Sequence, residues 1–423
     1  MANTCMLDVY RDDQIVGTLF DEQPLKFKYA GSWLNQEQAT PIAPNINLDK
    51  QIHIGDTVEA YFENLLPEAN LRELIKIKHQ VTTTFGLLSA IGGDTASALS
   101  LLPSGEHPQP PQYHPTTWED IAESLQNPNN TFSNTHQNGR QEEDTRISLA
   151  GAQNKKTVFI MPNGQPALPL DSAPSSHILK PDIGGIKNVW ASALNETLVM
   201  QLASAINLGM AEAEYQPIVK ACLIKRYDRK PNQAGELIRL HQLDLCQLDG
   251  KPSIIKYESD GGPTLARCRY LLQQNNIPAI DFKRLLEWVF FNLYVGNNDS
   301  HAKNLSIYYT QEQEVRLTPF YDMLSTSFYA GLSHKFAFKI GGENIPGIIE
   351  ISHLEAMAKE LAFKPNYVLK IANTVAENLL KQIDNVTESL AQIVSIATEQ
   401  TLLERLNQHI ISNTKKLQTR WKI

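Results

Sequence analysis

Gly296-Asn297-Asn298-Asp299-Ser300-His301-Ala302-Lys303-Asn304 separates two apolar runs. Residues 282–295 before it have helical character, and residues 305–309 after it are strand-like. The polar stretch holds an acid (Asp299), an imidazole (His301), a cation (Lys303) and a carboxamide (Asn304). Asp299 and Asn304 give the spacing D-x-x-x-x-N. That spacing suits two tasks done side by side. A carboxylate accepts the proton of an attacking hydroxyl, and an amide oxygen a short turn later holds a divalent cation. The same letters also fit a helix end capped by Gly296, with Asn297 in a polar turn. The rest of the chain has to decide.

A chain of 423 residues is too long for one ordinary core, so two or three domains are expected. Its hydrophobic content of 42% is that of an ordinary globular protein. The net charge of −8 argues against wrapping nucleic acid through bulk charge. A local basic stretch, with Lys415, Lys416, Arg420 and Lys422, also fits a solvated helix end. The four cysteines (Cys5, Cys222, Cys246, Cys268) have neither CxxC nor zinc spacing, which suits a reducing compartment. Residues 1–13 are polar and acidic, unlike a signal peptide. Residues 285–295 are too short to span a bilayer and include Glu287 and Asn292. A cytoplasmic protein without membrane contact is expected.

Taken in order, residues 6–10, 14–20 and 25–29 alternate as a small antiparallel meander. Residues 57–78 read as helical with a break at Pro67, and residues 85–94 as a short helix ending in glycines. Thr117 is a candidate N-cap. Residues 126–146 are almost wholly polar and read as a mobile connector.

Residues 147–160 suggest a hairpin with a small-residue tip, where backbone N–H groups and the cations Lys155 and Lys156 could meet phosphate. The stretch matches no established phosphate-loop motif, and an ordinary surface hairpin fits it as well. His177-Ile178-Leu179-Lys180 is a strand ending in lysine, and Glu196 follows on an amphipathic helix. Residues 217–227 read as a strand pair or one long strand. Asp281 reads as a helix cap, and Asp322 stands just beyond Phe320 and Tyr321. Residues 353–383 and 387–417 read as helices. Each feature is weak alone. Together their order is that of a kinase-like ATP site: hairpin, strand lysine, helix glutamate, hinge, D-x-x-x-x-N and distal aspartate.

The sequence also resembles a specific family, the HipA toxins, serine/threonine kinases of bacterial HipBA toxin–antitoxin pairs. The resembling stretches are residues 147–155, 177–180, 240–247, 256–263, 296–306 and 319–322, with 64–68 and 85–94 similar to the family's N-terminal module. The resemblance implies an α+β, protein-kinase-like, two-lobed fold. It divides the chain into an N-terminal module (1–105), a connector (106–146) and a catalytic region (147–423). That region comprises an ATP-binding lobe (147–235) and a helical lobe (236–423).

The resemblance also implies roles. Asp299 is the catalytic base, and Asn304 and Asp322 hold magnesium. Ala150, Gly151, Ala152, Gln153, Asn154 and Lys155 cover the ATP phosphates, and Lys180 contacts them. Lys225, Arg226 and Tyr227 form the adenine hinge. His301 and Lys303 complete the ATP site, or His301 serves only as a brace of the loop. Ser148 is the autophosphorylated serine, whose phosphate inactivates the enzyme. The implied partners are a HipB-like helix-turn-helix antitoxin, operator DNA through that complex, and an aminoacyl-tRNA synthetase as substrate, glutamyl-tRNA synthetase above all. Three departures stand out: Asn154 where an acid is expected, Asn297-Asn298 where other small or polar residues are expected, and D-x-H-x-x-N, nearer to lipid kinases than to H-R-D. A small-molecule or lipid phosphotransferase, or a catalytically silent corepressor, are the other readings. The intact Asp299, Asn304, Asp322 and Lys180 argue against a silent site.

Overall fold

A computed structural model describes residues 5–126, 155–310, 312 and 314–423. Two compact units emerge. The first comprises Met1–Leu179, Asp228–Leu243 and Gly250–Ser253; the second comprises Lys180–Tyr227, Asp244–Asp249 and Ile254–Ile423. Antiparallel strands and segregated helices make the chain α+β, as the resemblance implies.

The first unit opens on the meander. Met6–Arg11, Gln14–Phe20 and Lys26–Tyr29 pair antiparallel, flanked by Ile52–Ile54 on one edge and Leu99–Pro103 on the other. Alternation sets the register: Leu7, Val9, Leu19, Phe27 and Leu101 are buried on one side. Gly17 is required, because a Cβ there would lie 2.4 Å from the Lys28 carbonyl oxygen. The predicted break at Pro67 separates helices Asp56–Glu63 and Ala69–His79. Thr83 caps helix Thr84–Ile91 through the Gly86 amide. Further on, Lys156–Ile160 pairs with Pro166–Pro169 and, through residues 156–158, with residues 177–179.

One buried charge cluster ties distant stretches of this unit together. Asp94 has no exposed surface and accepts from Arg229 (2.8 Å), Arg239 (3.2 Å) and the Ser175 hydroxyl (2.9 Å). A carboxylate out of water is tolerable only with such partners.

His241, also in this unit, is buried with Nε2 2.8 Å from the Ile42 carbonyl oxygen. Burial, aided by the Arg11 charge, pushes its pKa down to about 3. An unfolded imidazole titrates near 6.5. Below that pH the unfolded chain binds a proton that the folded chain refuses, so stability falls as pH drops from about 6.5 towards 3. H241Q, whose amide can still donate to Ile42, is expected to remove a dependence of up to about 1.4 kcal/mol per pH unit in that window. Urea midpoints measured across pH check this; an unchanged pH dependence would refute it.

The second unit is mostly helical. Helix Ala279–Val295 is its centre, with Leu286, Trp288, Val289, Phe290, Phe291 and Tyr294 all fully buried. Asp281 is not the cap. Pro278 holds that position, and the buried Asp281 carboxylate lies in the first turn, accepting from Arg284 (2.9 Å) and Arg316 (2.7 Å). The C-terminal helices run Ile351–Glu360, Pro365–Ala391 and Ala397–Trp421, not 353–383 and 387–417. Pro365, at the first turn, starts a new helix after Ala362 takes a positive φ of 50°. The basic C-terminal stretch is a helix end, anchored by fully buried Trp421, which donates to the Ile349 carbonyl oxygen at 2.8 Å. Residues 217–227 are neither a strand pair nor one long strand: they hold a turn and the single strand Ala221–Lys225, whose antiparallel partner, Ala213–Gln216, precedes them. Among the described residues no helix is long and apolar enough to cross a membrane.

Candidate functional site

Helix Ala279–Val295 stops at Gly296, whose φ of +71° and a hypothetical Cβ 1.9 Å from the Ser327 hydroxyl oxygen both demand glycine. The following turn is not a solvated one. Asn297, Asn298, Ser300, His301, Lys303 and Asn304 are all buried. The Asn297 amide donates to Asn292 Oδ1 at 2.8 Å. The Asn298 backbone N–H donates to Thr326 Oγ1 at 2.8 Å, and its side-chain amide to the Ser333 carbonyl oxygen at 3.0 Å. Asn304 donates to the Asp299 carbonyl oxygen at 3.3 Å, closing the loop. Only Asp299 is exposed. A buried, cross-linked polar loop presenting one acid to solvent is costly to build as a mere connection.

His301 packs edgewise on Tyr257, with ring centroids 5.0 Å apart. Its pKa is driven well below the usual value by burial and by the Lys256 and Lys303 charges, so the ring is neutral near pH 7. Its Nδ1 is buried without a hydrogen-bond partner. The Tyr257 hydroxyl donates to Asp299 Oδ1. Lys303 turns inward, its Nζ 2.6 Å from Asp244 Oδ2 with both side chains nearly buried. Asp244 also caps helix Leu245–Asp249, accepting from the Gln247 amide at 2.8 Å. The Leu245 amide donates to the Leu305 carbonyl oxygen at 3.0 Å. This short helix therefore braces the loop at two adjacent points.

A second group lies at Lys180, Glu196 and Asp322. Lys180 Nζ is 2.6 Å from Glu196 Oε1 and bonds to Asp322 Oδ1. Burial works against the Lys180 charge, but the two carboxylates outweigh it and raise its pKa. Asp322 takes a positive φ of 59°, a strained backbone held from both sides. Before it, the Tyr321 hydroxyl donates to the Lys303 carbonyl oxygen at 2.8 Å. After it, Ser325 is clamped to the Asn195 side chain at 2.8 and 3.1 Å. Tyr321 thus links the two groups through the backbone.

The other sequence candidates are distributed as follows. Lys225 is exposed and paired with Glu212 at 2.9 Å, and Arg226 is buried. Tyr227 stacks on Tyr321 at 5.8 Å. Lys155 is half-buried in the first unit, while Ser148 and Ala150, Gly151, Ala152, Gln153 and Asn154 lie outside the described residues. Sequence reasoning assigned no role to Asp244 or Tyr257. Both stand in stretches resembling the family, but no spacing links either to the loop it touches.

Residues 7–102 match the model of the HipA N-terminal domain, and residues 147–383 that of the HipA-like C-terminal domain. A Sinorhizobium fredii protein named as a kinase, Y4mE, is 32% identical over 415 residues, covering 94% of this chain and 92% of its own. The serine/threonine-protein kinase toxin HipA of Shewanella oneidensis is 28% identical over 406 residues, covering 91% and 90%. The structure of Shewanella oneidensis HipA with HipB and operator DNA superposes with a TM-score of 0.83 at 23% identity, over 99% of both chains. The fold is therefore HipA-like and kinase-like, as the resemblance implied. With both domain models matched in order and a relative of 32% identity along almost its whole length, the chain belongs to the HipA family of serine/threonine protein kinases.

Proposed function

We propose that this chain transfers the γ-phosphate of ATP to a serine or threonine hydroxyl of a protein, as the toxin of a toxin–antitoxin pair. The observation that carries the reading is Lys180, a buried cation between Glu196 and the partly exposed Asp322. The half-open Asp322 offers hard carboxylate oxygen to a divalent cation beside that ammonium. Asn304 adds an amide oxygen, and the buried, unpartnered Nδ1 of His301 is a polar atom with capacity for a ligand. This donor set fits ATP with magnesium. Magnesium held by Asn304 and Asp322 would neutralise phosphate charge.

In this reading Asp299 takes the proton of the acceptor hydroxyl, and Lys180, with Lys155 and the stretch 150–154, holds the phosphates. His301 and Lys303 shape the ATP site, and Lys225, Arg226 and Tyr227 receive adenine. Phosphate on Ser148, with a charge near −2, would repel ATP and switch the enzyme off. The partner is a HipB-like helix-turn-helix antitoxin, which would bring the chain to operator DNA; the protein structure similar to this chain was solved in such an assembly. The target is an aminoacyl-tRNA synthetase of the glutamyl type, in the cytoplasm.

Mass spectrometry after incubation with Mg·ATP tests this. Wild type is expected to gain phosphate on Ser148, and K180M, with its circular dichroism retained, to gain none. Undiminished transfer in K180M, or labelling of small molecules alone, would sink the reading in favour of a small-molecule phosphotransferase.

A further inference from the structure

The Tyr257 hydroxyl sits on Asp299, where an acceptor hydroxyl must donate if Asp299 is the base. The contact is built, not incidental. The Tyr257 carbonyl oxygen accepts from the Gly262 amide (2.8 Å) and the Asp260 amide (3.1 Å). Gly262 is needed for this turn, since a Cβ there would lie 2.6 Å from the Ile255 and Tyr257 carbonyl oxygens. The Lys256 carbonyl oxygen accepts from the Ala302 amide inside the catalytic loop at 3.4 Å. Glu258 is pinned by the Lys339 amide at 2.8 Å. The His301 ring supports the phenol edge-on, 86° from its plane. Backbone and ring together aim one hydroxyl at the only exposed acid of the loop.

Resting on the proposed role of Asp299, we infer that Tyr257 is an internal stand-in for the acceptor hydroxyl. Without a protein acceptor, its phenol occupies the carboxylate and competes with water for it. Water would have to displace a tethered group. A serine or threonine hydroxyl on a docked protein must displace it too, replacing one O–H···O⁻ bond by another, and the rest of the docked surface offsets that cost. The suppressed side reaction is hydrolysis. In it, water oxygen attacks the γ-phosphorus, the bond to the β-bridging oxygen breaks, ADP and phosphate leave, and the water proton passes to Asp299.

The test uses full-length protein carrying S148A, so that no self-acceptor remains at that position. Y257F keeps the ring on His301 and removes the hydroxyl. ADP release from Mg·ATP without acceptor is expected to rise about tenfold, the scale of one hydrogen bond to a charged group. The rise should vanish in Y257F/D299N. With a protein acceptor, its KM should fall several-fold while the KM for ATP stays constant. ADP release that is unchanged, lowered or undetectable in Y257F overturns the inference. A thermal double-mutant cycle of Y257F and D299A reads the contact without activity, and zero coupling also overturns it. If instead D299N transfers phosphate normally while the cycle shows coupling, the assignment of Asp299 as base has failed.

Discussion

D299N is expected to lower kcat for phosphate transfer by about 10²–10⁴-fold, the usual contribution of a positioned general base. Asp299 is the one exposed side chain of an otherwise buried loop, so the fold should be unaffected. Asparagine retains the Oδ1 that accepts from Tyr257. It loses the ability to take a proton near pH 7. ATP affinity, supplied by other residues, should be unchanged, which separates loss of the base from loss of the site. Growth arrest on expression should disappear with the activity. Steady-state kinetics on a protein acceptor, beside a nucleotide-binding measurement, decides the matter. A kcat within tenfold of wild type would remove Asp299 from the mechanism.

K303M is expected to destabilise the second unit by about 3–5 kcal/mol, because it removes the cation 2.6 Å from the nearly buried Asp244 carboxylate. On a total stability of about 5–15 kcal/mol that is a severe loss. D244N should be comparably costly, since it removes the carboxylate that Lys303 meets, although asparagine can still accept from the Gln247 amide. The double variant K303M/D244N removes both charges and should recover most of the stability. Recovery of stability need not restore activity, because the tie from helix Leu245–Asp249 to the loop at position 303 remains cut. Urea titration of the three proteins gives the coupling directly. If K303M keeps wild-type stability but loses ATP affinity, Lys303 serves the nucleotide and not the brace.

Local patterns were legible wherever period and punctuation agree. The meander follows from alternation, the break at Pro67 from the missing N–H, and Gly296 from the left-handed cap. Helix boundaries near the C-terminus were not legible. Apolar residues recur through 353–383 without interruption, and only the turn at Ala362 and the start at Pro365 divide them. Asp281 looked like a cap because acids favour helix starts. Its burial under Arg284 and Arg316 depends on residues brought in by packing.

The sequence by itself determined the polar loop, the D-x-x-x-x-N spacing and the succession of Lys180, Glu196 and Asp322, because motif spacing is a one-dimensional property. Tertiary structure decided which groups those residues meet. Glu196 and Asp322 converge on Lys180 from 16 and 142 positions away in the chain. Lys303 turns to Asp244, and Tyr257 meets the exposed acid of the loop. Such pairings are fixed by the cost of burying an unmatched charge or hydroxyl, and that cost exists only once the chain has closed around it.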